Sequence, residues 1–165
     1  MRSSVDVHNF LQSQAIQHEF YTLEGQAKSA ERIAAVLGLE LGSVAKTLVF
    51  LADSEPVLVI IPGNRHAHAT KIRRILKAKK VDFASIDQLL DVTDFCTGAI
   101  PPIAHKNRLK TIIDRSLLSK DVIYTSGGDM NMILKLKAKD LKHITGALVA
   151  EVCRASSSEK AHIPI

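Results

Sequence analysis

Two apolar runs near the middle of the chain dominate its pattern of hydrophobic and polar positions. Residues 45–52 read Ala-Lys-Thr-Leu-Val-Phe-Leu-Ala, and residues 57–61 read Val-Leu-Val-Ile-Ile. Short runs of aliphatic and β-branched residues between turn-forming residues are typical of buried strands. The acidic segment 53–56, Asp-Ser-Glu-Pro, separates the two runs. The pattern therefore predicts an antiparallel hairpin with this segment as its turn.

Shorter periodic segments on both sides of the hairpin predict further helices and strands. Ser3 or Ser4 and Ser29 are candidate helix caps, and Gly38 is a stop signal. Helices are predicted over residues 4–16, 30–37, 69–80, 86–90 and 139–143, and further strands over 19–23, 111–113, 122–125, 132–136 and 147–152. This alternation favours an α/β (mixed α+β) fold, with helices packed around a curved, largely antiparallel mixed sheet.

Length and composition indicate one globular domain. The chain has 165 residues, of which 46% are hydrophobic and 24% charged. We expect a single domain over 1–154 and a loose polar tail over 155–165. No apolar stretch approaches the roughly 20 residues of a membrane span, and the first residues lack the apolar core of a signal peptide. The sequence thus predicts a cytoplasmic protein without membrane contact.

The net charge of +5 favours an anionic partner, nucleic acid before membrane. Aromatic residues make up only 4% of the chain, which disfavours a protein that stacks many bases. The two cysteines, Cys96 and Cys153, lack metal-type spacing. His66 and His68 are spaced to share a strand face, but no third ligand accompanies them. We therefore expect neither a metal site nor a cofactor.

Lys46 is the residue of the first apolar run that fits a buried strand least well. Alternation places its side chain on the same face as Leu48 and Phe50. A cation on an apolar face needs an anionic partner, yet Glu40 is the only acidic residue within six positions. Lys46 therefore either extends its ammonium into water at the strand end or meets a ligand.

A stiff loop follows the fourth predicted helix, with the sequence Cys-Thr-Gly-Ala-Ile-Pro-Pro-Ile-Ala-His over residues 96–105. Pro101 and Pro102 restrict the backbone. The N–H groups of Gly98, Ala99 and Ile100 could hold a carbonyl or an oxyanion, and the alternative is a rigid surface turn.

Two further residues are candidates near turns. His105 follows the stiff loop and could donate to a substrate or an RNA phosphate, although a simple exposed histidine is an equal alternative. Gly127 and Gly128 predict a hairpin turn, and Ser126 at its edge could be a hydrogen-bond partner. No Gly-x-Ser-x-Gly elbow surrounds Ser126, so we do not assign it as a nucleophile.

Six cations without an acidic neighbour lie within residues 71–80. Arg73, Lys77 and Lys80 would share one face of the predicted helix. Such a stripe is often only a solvated surface, but its charge suits the phosphate backbone of RNA.

These segments together resemble the YbaK/ProX-type aminoacyl-tRNA deacylases, the family of the prolyl-tRNA synthetase-associated editing domain. The resemblance rests on Lys-Thr-Leu-Val-Phe from Lys46, the loop 98–102, the stretch 109–128 and the closing segment 139–152. It spans residues 16–152 approximately and implies the fold given above. The implied activity is trans-editing: hydrolysis of the ester in a mischarged aminoacyl-tRNA, such as tRNA(Pro) carrying Ala, Cys or another small amino acid.

The resemblance also implies roles for individual residues. Lys46 would hold the phosphate or terminal adenosine of the tRNA, and Gly98, Ala99 and Ile100 would stabilise the reacting ester. Attack would rely on water and on groups of the substrate rather than on a protein nucleophile. The remaining implied pocket residues are Thr47, Pro101, Pro102, His105, Ser126, Gly127 and a tyrosine near the first strand, for which Tyr21 is the candidate. Arg73, Lys77 and Lys80 are our candidates for tRNA contact, and a prolyl-tRNA synthetase is a candidate partner.

The sequence departs from the family at three places, one of which is the tyrosine expected near the first strand, where the chain has Phe20 and Tyr21. Relatives commonly have a glycine just before the position of His105, where this chain has Ala104, and some have an acidic residue near Met132. These differences leave the amino acid removed open. Two other functions also stay open: a non-catalytic module that binds the tRNA end or a synthetase, and a protein that binds a free amino acid or nucleotide.

Overall fold

The computed structural model describes residues 1–27 and 29–155 of the chain. Its helices are α1 Ser4–Ser13, α2 Ala30–Leu37, α3 Ala69–Leu76, α4 Ile86–Thr93 and α5 Ala138–Thr145. Its strands are β1 His18–Thr22, β2 Ala45–Ala52, β3 Glu55–Pro62, β4 Val81–Phe83, β5 Lys110–Asp114, β6 Val122–Ser126, β7 Met132–Lys137 and β8 Leu148–Ala150. Within these two ranges, no helix is both long enough and apolar enough to cross a membrane. Of the predicted loose tail, residues 156–165 lie outside the described residues.

The strands form two sheets. A five-stranded mixed sheet has the order β4-β2-β3-β5-β8, in which β5 runs parallel to both of its neighbours. A three-stranded antiparallel sheet has the order β1-β7-β6. The predicted mixed α/β architecture is therefore confirmed, although the strands are divided between two sheets instead of joined in one.

The central hairpin forms as predicted, with a shorter turn. Ala52 pairs with Glu55, so only Asp53 and Ser54 lie in the turn. Their φ angles of 47° and 70° are the positive values that a two-residue type I′ turn needs. Glu55 and Pro56, which the sequence assigned to the turn, therefore belong to β3. The Asp53 carboxylate accepts hydrogen bonds from the backbone amides of residues 79 and 80 at 2.9–3.1 Å.

The basic helix is shorter than predicted. Helix α3 ends at Leu76 because Lys77 adopts a left-handed conformation with φ of 53°, and the chain then enters β4. The prediction that Arg73, Lys77 and Lys80 share a helix face is therefore wrong. Lys80 also has an acidic partner, since its Nζ lies 3.3 Å from the Asp82 carboxylate.

Capping residues explain why the first two helices begin and end where they do. Ser3 caps α1 and forms a capping box with Asp6. Ser29 caps α2 by accepting a hydrogen bond from the Arg32 amide at 3.1 Å, and Gly38 ends α2 with φ of 65°. The predicted serine caps and glycine stop are confirmed.

Strands β2 and β3 separate the apolar interior into layers. Along β2, Ala45 and Val49 belong to a cluster that includes residues of α1 and α5, whereas Phe50 belongs to a cluster beneath α3. A smaller cluster around Ile33 and Val44 attaches α2 to the three-stranded sheet. Because α2 lies against one end of β2, the two sheets meet at the beginning of β2.

Candidate functional site

A gap in the pairing of β2 marks the candidate site. Strand β4 pairs only with the last three residues of β2, and the Ala84 amide adds a hydrogen bond to the Val49 carbonyl at 3.1 Å. At the other end, a bridge joins Val44 to Tyr124 of β6. Along β2, the backbone N–H and C=O groups of successive residues point alternately towards β3 and away from it. Those of Thr47 point away from β3. The edge of the sheet is therefore open around Thr47.

A cavity of about 430 Å³ opens at this gap. It brings together five of the predicted site residues: Lys46, Thr47, Gly98, Ile100 and Ser126. They come from three separate parts of the chain, so the fold itself produces their convergence. Apart from Phe83, the apolar part of the lining is made of small and aliphatic side chains: Ala27, Ala30, Ile33, Ala45, Leu48, Val49, Ala84, Leu89 and Ile100.

Lys46 presents an unpaired ammonium to this cavity. Its backbone pairs with Ile61, and its side chain shares a face of β2 with Leu48 and Phe50, as predicted. Among the described residues, no carboxylate lies within ion-pair distance of its Nζ. A half-buried ammonium without a protein partner is available to an anionic ligand.

Two buried hydroxyl groups in the cavity also lack partners. The Oγ1 atoms of Thr47 and Thr125 are buried without a hydrogen bond, and Thr125 is only 1% exposed. Leaving such a group unsatisfied costs on the order of 1–3 kcal/mol. Both residues line the cavity, so a polar ligand there could satisfy both hydroxyls.

The stiff loop supplies backbone donors, although not all of those predicted. Gly98 has φ of 90°, a conformation that side-chain-bearing residues rarely adopt. The Ala99 amide already donates to the Cys96 carbonyl at 3.0 Å, and Ala99 does not line the cavity, so its predicted role is wrong. Within the described chain, the amides of Gly98 and Ile100 have no acceptor. Since Pro101 and Pro102 are buried, the loop is not a surface turn.

The second half of the loop faces a different cavity. Pro102 and His105 line a space of about 380 Å³ together with Arg2 and Thr111, and Pro101 lines neither cavity. His105 Nε2 lies 2.7 Å from the Pro101 carbonyl oxygen. Burial lowers the pKa of His105 from 6.5 to about 4, so the neutral ring donates Nε2–H to that carbonyl. His105 therefore holds the loop. None of Pro101, Pro102 and His105 lines the Lys46 cavity, and their role in substrate binding stays a prediction.

Gly127 and Tyr21 also lie outside the Lys46 cavity. The Gly127 amide donates to the Met132 carbonyl at 2.9 Å and closes the β6–β7 hairpin, as the paired glycines predicted. The Tyr21 hydroxyl donates to Glu19 at 2.8 Å on the surface of β1, and this hydrogen bond raises the pKa of Tyr21. Both residues act in local structure here, and their role in substrate binding stays a prediction.

Among the cavity residues that sequence reasoning missed are Glu31, Phe83 and Thr125. Thr125 neighbours the predicted Ser126 but points to the other side of β6, and no sequence pattern shows that its hydroxyl is unpaired. Phe83 belongs to a three-residue strand, too short for a periodic signal. The sequence does show Glu31 as an acidic residue in the first turn of a capped helix. That position predicts stabilisation of the helix dipole and gives no sign of a cavity.

The arrangement suits the binding and polarisation of an ester more than nucleophilic attack by the protein. The cavity offers one ammonium, unpaired hydroxyls and the Gly98 and Ile100 amides as donors. Among its described lining residues there is no histidine or cysteine, and Glu31 is the sole carboxylate. Arg73, Lys77 and Lys80 do not line it, and their contact with tRNA stays a prediction.

Comparison with known proteins gives the family. The family model described as the aminoacyl-tRNA editing domain matches residues 24–144. EbsC of Enterococcus faecalis, provisionally named a Cys-tRNA(Pro)/Cys-tRNA(Cys) deacylase, is 30% identical over 125 residues, which are 75% of this chain and 76% of that protein. The proline–tRNA ligase of Geobacter sp. strain M21 is 35% identical over 99 residues. That match covers 60% of this chain and 17% of the ligase, so the similarity concerns one part of that enzyme.

Solved structures share the fold. A crystal structure provisionally described as a trans-editing enzyme for prolyl-tRNA synthetase has a TM-score of 0.87 at 24% identity, covering 94% of this chain and 99% of that one. The crystal structure of a hypothetical protein has a TM-score of 0.86 at 25% identity, covering 90% and 99%. Together with the family match over residues 24–144, these findings confirm the resemblance drawn from the sequence. The chain belongs to the aminoacyl-tRNA editing domain family.

Proposed function

We propose that this protein is an aminoacyl-tRNA deacylase, which hydrolyses the ester between a wrong amino acid and the 3′-terminal ribose of a tRNA. One observation carries the proposal. A single cavity at the open edge of β2 holds the unpaired Lys46 ammonium, the unpaired Thr47 and Thr125 hydroxyls, and the loop at Gly98. These groups match an ester that is attached to a polyanion.

The reaction would be governed by positioning and by stabilisation of charge. Water adds to the ester carbonyl, negative charge develops on the carbonyl oxygen, and the ribose oxygen leaves with a proton. The free amides of Gly98 and Ile100 are suitable donors to the developing oxyanion. No histidine lines the described part of the cavity, so a group of the substrate, such as the adjacent ribose hydroxyl, would assist the proton transfer.

The side chains that line the cavity limit the size of the amino acid that the tRNA can carry into it. Small side chains from α2 and β2, such as Ala30 and Ala45, leave an apolar space that fits a small residue. Glu31 could accept a hydrogen bond from the α-ammonium group of the aminoacyl ester. We propose Ala, Cys or Ser on tRNA(Pro) as substrates, since EbsC carries a Cys-tRNA(Pro) deacylase name and proline–tRNA ligases contain a similar segment. Such substrates place the reaction in the cytoplasm, with a prolyl-tRNA synthetase as a candidate partner.

The test is a panel of labelled aminoacyl-tRNAs. Purified protein should release the amino acid from at least one of Ala-, Cys- and Ser-tRNA(Pro) faster than buffer does, and should spare Pro-tRNA(Pro). The panel should be run with and without prolyl-tRNA synthetase, because a required partner would otherwise mask turnover. Binding of tRNA without release of any amino acid under both conditions would favour the non-catalytic module. Binding of free amino acid or nucleotide, with no effect on tRNA, would favour the small-molecule alternative.

A further inference from the structure

Two histidines from different elements meet beside the edge strand of the three-stranded sheet. His8 lies on α1, and His18 is the first residue of β1. His8 Nδ1 lies 2.9 Å from His18 Nε2, and the two ring centroids are 5.1 Å apart. Ten positions of the chain separate the two residues. Short-range spacing, which drew attention to His66 and His68, therefore does not detect this pair.

A backbone carbonyl determines which nitrogen of His18 carries the proton. His18 Nδ1 lies 2.7 Å from the Ile16 carbonyl oxygen, which can only accept a hydrogen bond. In the neutral ring, Nδ1 is therefore the protonated nitrogen, and Nε2 presents its lone pair to His8. A carbonyl that accepts from the far nitrogen is also what orients histidine ligands at metal sites.

Phe20 supports both imidazole rings. Its ring stands edge-on to His18, with the centroids 5.5 Å apart and the planes at 86°, and its centroid is 6.2 Å from that of His8. Residues 18 and 20 share one face of β1, whereas Glu19 points to the other face and pairs there with Lys135 at 3.4 Å. The sheet therefore separates the Lys135 ammonium from the imidazole pair.

We propose that His8 and His18 together bind a zinc ion, which joins α1 to β1. Imidazole nitrogen is a preferred ligand of Zn²⁺, whereas Mg²⁺ and Ca²⁺ prefer oxygen ligands. On binding, the proton of His8 moves from Nδ1 to Nε2, so both facing nitrogens offer lone pairs and neither ring loses a proton overall. Two nitrogens on a tetrahedral zinc ion are about 3.3 Å apart. His8 is exposed, so its ring can rotate to open the gap by that small amount.

Water fills the remaining positions of the ion. Among residues 1–27 and 29–155, no group of three or more His, Cys, Asp and Glu side chains could hold a metal ion. The site is therefore bidentate and weaker than a closed structural zinc site with four protein ligands. The unfolded chain does not hold the two imidazoles together, so zinc should stabilise the folded state.

Calorimetry and thermal unfolding of the full chain test the site. Calorimetry gives the Kd, and at a free zinc concentration 100 times the Kd the melting temperature should rise by roughly 5–10 °C. Mg²⁺ at the same concentration should leave it unchanged. His8→Gln keeps a good helix former on α1 and should weaken zinc binding at least about ten-fold, because only one imidazole remains. In the parent, the ring NMR signals of His8 and His18 should shift together on titration with zinc.

Two other histidines provide controls. His143 is exposed on α5, so His143→Gln removes a comparable side chain and should leave zinc affinity unchanged. His66→Gln should also leave it unchanged, and a loss there would place zinc at His66 instead. Unchanged zinc affinity in a folded His8→Gln variant would overturn the inference, as would equal losses in His8→Gln and His143→Gln. Absence of any rise in melting temperature with zinc would overturn it too.

The zinc site is independent of the proposed function. Neither His8 nor His18 lines the Lys46 cavity, and both precede residue 24, where the match to the family model begins. All of these measurements are made without tRNA. They therefore decide the zinc site whether or not any aminoacyl-tRNA is hydrolysed.

Discussion

The loop of residues 98–105 contributes to two cavities, which differ in whether their polar side chains have hydrogen-bond partners within the protein. In the cavity at His105, the side chains of Arg2, His105 and Thr111 are bound to nearby carbonyls. Arg2 Nη1 donates to the Ala104 carbonyl at 3.2 Å, and Thr111 Oγ1 donates to the Leu109 carbonyl at 3.0 Å. His105 holds the Pro101 carbonyl in the same manner.

In the cavity at Lys46, the ammonium and the hydroxyls of Thr47 and Thr125 have no partner in the described chain. Hydrogen-bonded groups stabilise the fold, whereas unsatisfied buried groups cost stability that only a ligand can return. Side chains of the His105 cavity should therefore control stability, and those of the Lys46 cavity should control activity.

Lys46→Ala should show the largest effect. Loss of an anchoring charge at a substrate phosphate costs about 2–4 kcal/mol, so deacylation should slow about 30- to 1,000-fold. The free energy of unfolding should change little, because Lys46 has no carboxylate partner to lose. Single-turnover deacylation and urea unfolding measure the two quantities, and Lys139→Ala, at an exposed lysine of α5, is the control.

Lys46→Arg sharpens the same test. The charge remains, but a planar guanidinium replaces a compact ammonium, so activity should still fall. Near-normal turnover in a folded Lys46→Ala variant would remove Lys46 from the site.

His105→Gln should show the next largest effect, on stability and on its dependence on pH. Burial lowers the folded-state pKa of His105 from 6.5 to about 4. The unfolded chain therefore takes up a proton below pH 6.5 that the folded protein refuses, and stability falls as the pH drops from 6.5 towards 4. The loss over this window is up to about 3 kcal/mol.

Urea unfolding between pH 7.5 and 4.5 measures this dependence. At pH 7.5 the variant should be less stable than the parent, because the hydrogen bond between His105 and the Pro101 carbonyl is altered. Its stability should also depend less on pH in this window, because glutamine does not titrate. An unchanged slope would show that another group causes the dependence.

A pair of threonine variants compares the two cavities directly. Thr125→Val removes an unsatisfied buried hydroxyl, so the free energy of unfolding should stay constant or rise by up to about 1 kcal/mol, while deacylation slows. Thr111→Val removes a hydroxyl that is hydrogen-bonded and should destabilise the protein by about 1 kcal/mol with little change in turnover. Equal destabilisation by both changes would contradict the distinction between the cavities.

The smallest effect is expected from the cations of residues 73–80. Changing Arg73, Lys77 and Lys80 to Glu should weaken tRNA binding at low salt and reduce the slope of log K against log salt by roughly two to three units. Because Lys80 already pairs with Asp82, its share should be the least of the three. The deacylation rate at saturating substrate should be preserved. If the parent and the variant bind tRNA with equal affinity and equal salt dependence, these cations form only a solvated surface.

Local signals predicted much of this molecule. The β2–β3 hairpin, the Ser29 cap and the Gly38 stop follow from patterns within a few residues. A cation on an apolar strand face and a stiff glycine-proline loop brought Lys46 and Gly98 to attention, and the fold places both at one cavity.

Contacts between distant segments explain the errors. Helix α3 ends early where the Asp53 carboxylate binds the amides after Lys77, a contact that spans 26 residues in its shortest case. The Ala99 amide is not available to a ligand, because it already donates to the Cys96 carbonyl in a local turn. Phe83 gains its place from pairing with Phe50 on β2. Such features depend on tertiary geometry, which periodicity does not encode.

The open edge of β2 gives adjacent backbone amides different exposure to solvent. The Lys46 and Leu48 amides point towards β3, whereas the Thr47 amide points into the gap, so hydrogen exchange should alternate between slow and fast along a single strand. Exchange at Thr47 would then report directly on what occupies the gap. A bound ligand that covers the edge should slow the Thr47 amide but not the neighbouring Lys46 and Leu48 amides, which makes one position of β2 an intrinsic sensor of occupancy that needs no label or mutation.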